Sequence, residues 1–180
     1  MHNYFSRLPN LPPLPRMYTK IAAAAPYKWY GEHDKTNNVT LSFCPEFEAT
    51  RFCQRLKQDL GMVVVMLFRN EPNSFYNWHC DLGEPEHGPR MCCINYPLTD
   101  NPGAVTMFKD HSYNALNFGV KFCDYELLHP TLFNTQVPHA VLNASDMPRY
   151  ILSVGFFKPY EEVKAYLEQL TIKTYNDDTI

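Results

Sequence analysis

The stretch Val63-Val64-Val65-Met66-Leu67-Phe68, followed by Asn70-Glu71-Pro72-Asn73 and then by Phe75-Tyr76-Asn77-Trp78-His79-Cys80-Asp81, decides the fold class. An apolar, β-branched run of this length, bounded by turn formers, has the size of a buried strand. Similar runs recur at residues 91–96, 105–108, 120–122, 137–142 and 150–157, with turn clusters at 83–89, 99–103 and 143–148. Many short strands at near-regular spacing predict an all-β sandwich or barrel rather than alternating β and α units.

Helical patterning flanks this region. Ala49, Phe52, Cys53, Leu56 and Leu60 recur at three- and four-residue steps, so residues 45–60 are expected to form one amphipathic helix. Pro45 suits its first turn and Gly61 the position past its end. Pro159 opens a final helix with Glu161 and Glu162 in its first turn and Val163, Tyr166, Leu167 and Leu170 on its apolar stripe. Further back, residues 21–25 suggest a short helix, and Tyr27 to Tyr30 carries three aromatics. The proline-rich stretch from Leu8 to Pro15 is expected to be extended and to run over the surface, as an arm or as a proline-motif ligand. The chain thus reads as one domain over 1–180, with an arm and partial cover at 1–44, a supporting helix at 45–61, a β core at 62–158 and a C-terminal helix at 159–171.

Composition narrows the function classes. The 180 residues are 45% hydrophobic and 19% charged, as in a globular protein. A net charge of −3 offers no basic footprint, which disfavours nucleic acid as a partner. No apolar run approaches the roughly 18 residues of a membrane helix, and no secretory segment is evident, so a cytoplasmic location is expected. The six cysteines include no Cys-x-x-Cys pair and read as free thiols. The sequons at Asn38 and Asn143 carry no weight without secretion.

The chemistry concentrates in His79-Cys80-Asp81 and in Val137-Pro138-His139-Ala140-Val141, followed by Arg149. Period-two alternation points His79 and Asp81 to one face of an extended segment. A second histidine from another strand would complete two imidazoles and one carboxylate, a set that occupies one side of an octahedral metal and leaves the rest open. His139 is preferred for that place over His129. His111 and His87 read as surface or turn residues. Arg149 is expected to share a face with Ile151 and Ser153, and in a hairpin closed by residues 143–148 it would lie on the strand next to His139. Facing inward, its guanidinium suits a carboxylate; facing outward, it would make only a surface ion pair.

The order His79-x-Asp81, His139, Arg149 resembles the Fe(II)/2-oxoglutarate-dependent oxygenases, in particular their prolyl-hydroxylase-type branch. The likeness extends to Tyr76 three residues before the first histidine and to Arg90 opening the next strand, with Tyr96 near its end. Gly103 with Thr106-x-Phe108, and a basic residue ten positions after the second histidine, complete it. Tyr96 falls one residue early for the branch, and a one-residue register shift would turn Asn95 to the site instead.

The resemblance implies a mainly β fold with flanking α-helices, a double-stranded β-helix of the jelly-roll or cupin-like kind. It implies Fe(II) held by His79, Asp81 and His139. It also implies 2-oxoglutarate held by Arg149 with Ser153 or Tyr96, and O2 as the second cosubstrate. The activity implied is hydroxylation of a C–H bond coupled to decarboxylation of 2-oxoglutarate, on a peptidyl or small-molecule substrate. Two other readings stand beside it: a β-sandwich binding or structural protein without a catalytic metal, and a metal-dependent barrel enzyme that does not use 2-oxoglutarate.

Overall fold

The computed structural model describes residues 4–24, 39–81, 88–110 and 119–170. Among these residues the strands are β1 Phe5–Arg7, β2 Val39–Phe43, β3 Val63–Asn70, β4 Ser74–His79, β5 Cys92–Pro97, β6 Ala104–Asp110, β7 Gly119–Cys123, β8 Thr131–Asn134, β9 His139–Asn143 and β10 Arg149–Phe156. The helices are α1 Met17–Ala24, α2 Pro45–Glu48, α3 Arg51–Leu60 and α4 Tyr160–Gln169. One sheet runs β1-β8-β5-β10-β3-β2 and the other β4-β9-β6-β7. All neighbours are antiparallel. From β3 onward every connection but β6–β7 passes from one sheet to the other, which makes the two sheets a jelly roll. The expected mainly β class with flanking helices is the one found. No helix among the described residues is long and apolar enough to cross a membrane.

Alternation along β10 sorts its residues between two environments. Leu152, Val154 and Phe156 join Val65, Leu67, Ile94 and Leu132 against Phe52 and Leu56 of α3 and Val163 and Leu167 of α4. Arg149, Ile151 and Ser153 line a cavity on the other face. The largest apolar cluster therefore lies between the six-stranded sheet and the helices, outside the roll. The space between the sheets holds a smaller cluster of Cys93, Phe108, Cys123, Phe133 and Val137, with Phe5 and Tyr125 against it. Polar side chains occupy much of the remainder.

Three expectations need correction. Residues 45–60 form two helices, because Thr50 takes an extended backbone (φ −66°, ψ 147°) and caps α3. Its hydroxyl accepts from Cys53 N at 3.1 Å and donates to Phe47 O at 2.7 Å. The proline-rich arm lies at the surface with Pro9 and Pro13 exposed, but it is packed down and not extended throughout. Leu8, Leu11 and Leu14 are each only 2% exposed; a turn in which Leu11 N donates to Leu8 O at 3.0 Å, and a bond from Leu14 N to Leu128 O at 2.9 Å, hold them against the core. Asn10 fastens it by donating to Leu167 O and Leu170 O at the end of α4 (2.6 and 2.9 Å). The aromatics at Tyr27 to Tyr30 lie outside the described residues.

The third correction concerns residues 143–148, which do not close a hairpin. β9 and β10 belong to different sheets. The turn crosses between them beside the β3–β4 turn, where Arg149 pairs with Asn70 and Asn143 with Ser74. Asn143, fully buried, locks the two crossings together. Its Nδ2 donates to Glu71 O and Met147 O at 2.9 and 2.8 Å, and its Oδ1 accepts from Ser145 Oγ at 2.9 Å. An Asn143→Ala variant removes these bonds at a fully buried position, although Glu71 O keeps Ser74 Oγ and Met147 O keeps Ser145 Oγ as donors, and is expected to lose about 1–3 kcal/mol of stability. A denaturation midpoint equal to that of the wild type would contradict this account.

Candidate metal centre

The centre is built where β4 ends. A bulge shifts the β4–β9 register, with Tyr76 opposite Val141 but His79 opposite His139. The extra residue turns both Tyr76 and His79, three positions apart, toward the cavity, as bulges near sites commonly do. Trp78 is left beneath Lys109, whose Nζ lies 5.2 Å from its ring centroid. The Tyr76 ring lies tilted against the His79 ring, their centroids 4.1 Å apart, and the His79 and His139 ring centroids are 4.3 Å apart.

Backbone carbonyls set both tautomers. His79 Nδ1 meets Asn77 O at 2.7 Å, and His139 Nδ1 meets Val137 O at 2.9 Å. A carbonyl only accepts, so each Nδ1 carries a proton, and Nε2 is the nitrogen left to ligate in each ring. Those two Nε2 atoms lie 3.7 and 3.6 Å from one atom, Asp81 Oδ1. One ligand atom from each of His79, Asp81 and His139 lies within 4.8 Å of the others. Burial, reinforced by the neighbouring His79, holds His139 down to about 4, so its imidazole is neutral at physiological pH.

Asp81 is itself held in place. Its Oδ2 accepts from Arg90 Nε at 2.7 Å and is also contacted by Arg90 Nη2, which leaves Oδ1 for the imidazoles. Burial opposes the charge of Arg90, but Asp81 outweighs it and keeps the guanidinium more firmly protonated than usual. Asp81 N donates to Thr135 O at 3.0 Å. Gln136 Nε2 bridges Asp81 O and Arg90 O at 3.2 and 2.9 Å.

A cavity of about 100 Å3 lies beside these residues, against roughly 10–15 Å3 for one water. Arg149 is 3% exposed within it. Its Nη2 donates to Thr106 Oγ1 at 3.1 Å and its Cζ sits 4.5 Å from the Tyr125 ring centroid, while Tyr125 Oη shares a 2.7 Å hydrogen bond with Thr106. Arg149 Nη1 is buried without a hydrogen-bond partner, and Ser153 Oγ is buried beside the Cys93 thiol. A buried guanidinium with an unused arm suits an anion with oxygens to spare.

The structure thus gathers His79, Asp81, His139, Arg149 and Ser153 around one cavity. It turns Tyr96 away: that side chain is fully buried on the helix side of β5, its ring 6.2 Å from Phe47, and Asn95 lines the cavity instead. Strand alternation compels one or the other, and Tyr96 shares its face with Ile94. Tyr125, which no sequence signal marked, supplies the aromatic hydroxyl beside Arg149. His129 is an outer residue paired with Glu126 at 3.3 Å. His87 and His111 lie outside the described residues. All six cysteines are free.

No protein-family model matches the sequence, and no curated protein does. Solved structures do. A prolyl-4-hydroxylase from Pseudomonas putida superposes with a TM-score of 0.58 over 84% of this chain and 91% of its own, at 17% identity. A prolyl hydroxylase from Trichoplax adhaerens, solved with a hypoxia inducible factor peptide fragment, gives 0.58 over 91% and 87%, at 14% identity. A 2OG-Fe(II) oxygenase family oxidoreductase from Burkholderia pseudomallei gives 0.56 over 79% and 78%, at 10% identity. The chain has the 2-oxoglutarate–Fe(II) oxygenase fold. Within that fold, two of these three neighbours are of the prolyl-hydroxylase kind. Likeness at such identities is likeness of fold, so the chemistry is argued from the residues.

Proposed function

We propose that this protein is an Fe(II)- and 2-oxoglutarate-dependent dioxygenase that hydroxylates a peptidyl or small-molecule substrate. The observation that carries the reading is the convergence of His79 Nε2, His139 Nε2 and Asp81 Oδ1, with Nε2 left to ligate in each ring by the carbonyl behind it. Two neutral imidazoles and one carboxylate on one side of an ion suit Fe(II) with open positions. Arg149, its free Nη1 and the Ser153 hydroxyl suit the remote carboxylate of 2-oxoglutarate.

When bound, Fe(II) would activate O2 as the oxidant and 2-oxoglutarate would supply two electrons, so that one oxygen atom would end in succinate as CO2 is lost and the other in the hydroxylated C–H bond. The chain's own share is orientation. Asn77 O and Val137 O fix the rings, Arg90 fixes the acid, and Thr106 with Tyr125 holds Arg149 from two sides. The net charge of −3 disfavours a nucleic-acid substrate, and the peptide bound by the Trichoplax neighbour favours testing peptides first.

Anaerobic addition of Fe(II) and 2-oxoglutarate to the purified protein is expected to raise a visible metal-to-ligand charge-transfer band. Admitting O2 with candidate peptides or small molecules should then release succinate. Absence of both the band and metal uptake would sink the proposal.

A further inference from the structure

Glycine inside a central strand weakens it, because it loses the most chain entropy and has no side chain to pack. Gly155 lies within β10, paired with Val64 of β3 on one side and Cys93 of β5 on the other. Its φ is not positive, so no turn or left-handed backbone calls for glycine there. Arg90 does. A Cβ placed on Gly155 would fall 2.2 Å from Arg90 Cδ and 3.1 Å from its Cγ. The arginine stem rests directly on the strand, and from that position its head reaches Asp81 Oδ2.

We propose that Gly155 is a positioning residue for the metal centre: it provides the slot in which Arg90 lies, and Arg90 fixes Asp81 so that one oxygen alone faces the two imidazoles. The inference rests on the reading of His79, Asp81 and His139 as metal ligands. Arg90 has little freedom to move aside, because it is held at both ends. Its carbonyl accepts from Thr135 Oγ1 at 2.5 Å and from Gln136 Nε2 at 2.9 Å, while its guanidinium is held by Asp81. A methyl group on Gly155 must therefore displace the guanidinium, and Asp81 is then free to offer both oxygens or to turn away.

The test is titration of Co(II) into the wild type, Gly155→Ala, Arg90→Ala and the double variant, followed by the visible spectrum, with near-ultraviolet circular dichroism reporting the folded state. Gly155→Ala is expected to weaken Co(II) binding about 10–100-fold, the range typical of outer partners of metal ligands. It should also alter the cobalt spectrum to the form given by Arg90→Ala. In the Arg90→Ala background the slot is empty, so adding Gly155→Ala should change neither affinity nor spectrum. If Gly155→Ala alone fails to fold while the double variant folds, the same steric coupling is supported. Unchanged affinity in Gly155→Ala overturns the proposal. So does an equal loss in both backgrounds, or failure of the double variant to fold. A wild type that takes up no Co(II) overturns the metal-centre reading itself, and this inference with it.

Discussion

Replacing His139 by alanine is expected to abolish the charge-transfer band and to lower Fe(II) affinity by well over the roughly 10–100-fold seen for outer partners of metal ligands. The residue supplies one of three donor atoms, and its ring is locked from behind by Val137 O. No other histidine among the described residues can substitute for it, since His79 is already a donor and His129 sits outside the cavity, 3.3 Å from Glu126. His129→Ala is therefore the matched control and should bind metal as the wild type does. Equilibrium dialysis against Fe(II), or against Mn(II) in air, reads the difference directly. Loss of binding in His129→Ala with retention in His139→Ala would reverse the ligand assignment.

Arg149→Ala is expected to weaken 2-oxoglutarate binding at least 100-fold, about 3 kcal/mol, while leaving Fe(II) affinity close to that of the wild type. The size follows from burial. The guanidinium is 3% exposed, one nitrogen is satisfied by Thr106, and another has no protein partner. Arg149→Lys keeps the charge but not the fork, and should recover only part of the loss. Titrating 2-oxoglutarate against the charge-transfer band at saturating iron measures the effect. Unchanged affinity in Arg149→Ala would favour a barrel enzyme whose metal works without 2-oxoglutarate.

Much of the β architecture was legible because apolar runs and turn clusters alternate along the chain, and the two histidines and the acid could be picked out by spacing. What the one-dimensional pattern missed has physical causes. The run Cys92-Cys93-Ile94-Asn95-Tyr96 belongs to a strand covered on both faces, so no polar–apolar alternation reveals which side chain faces which way; hence Tyr96 for Asn95. Thr50 has the same appearance in mid-helix as at a cap, and only its hydrogen bonds to Phe47 and Cys53 distinguish the two. The β4 bulge depends on pairing with a strand some sixty residues distant. Tyr125 reaches Arg149 from an irregular segment, beyond the reach of any local periodicity. The leucines of the proline-rich arm were visible, but their spacing carries no marker of what they pack against.

The placement of the main apolar cluster between the helices and the outer side of the six-stranded sheet has a consequence for how such a protein can change. Most of the apolar packing resides in one compartment and the polar cavity in another, with the sheet as a shared wall. Exchanges at cavity positions such as Asn95 or Val141 draw little on the packing that keeps the chain folded. A scaffold partitioned in this way can have its cavity reshaped without first being reinforced.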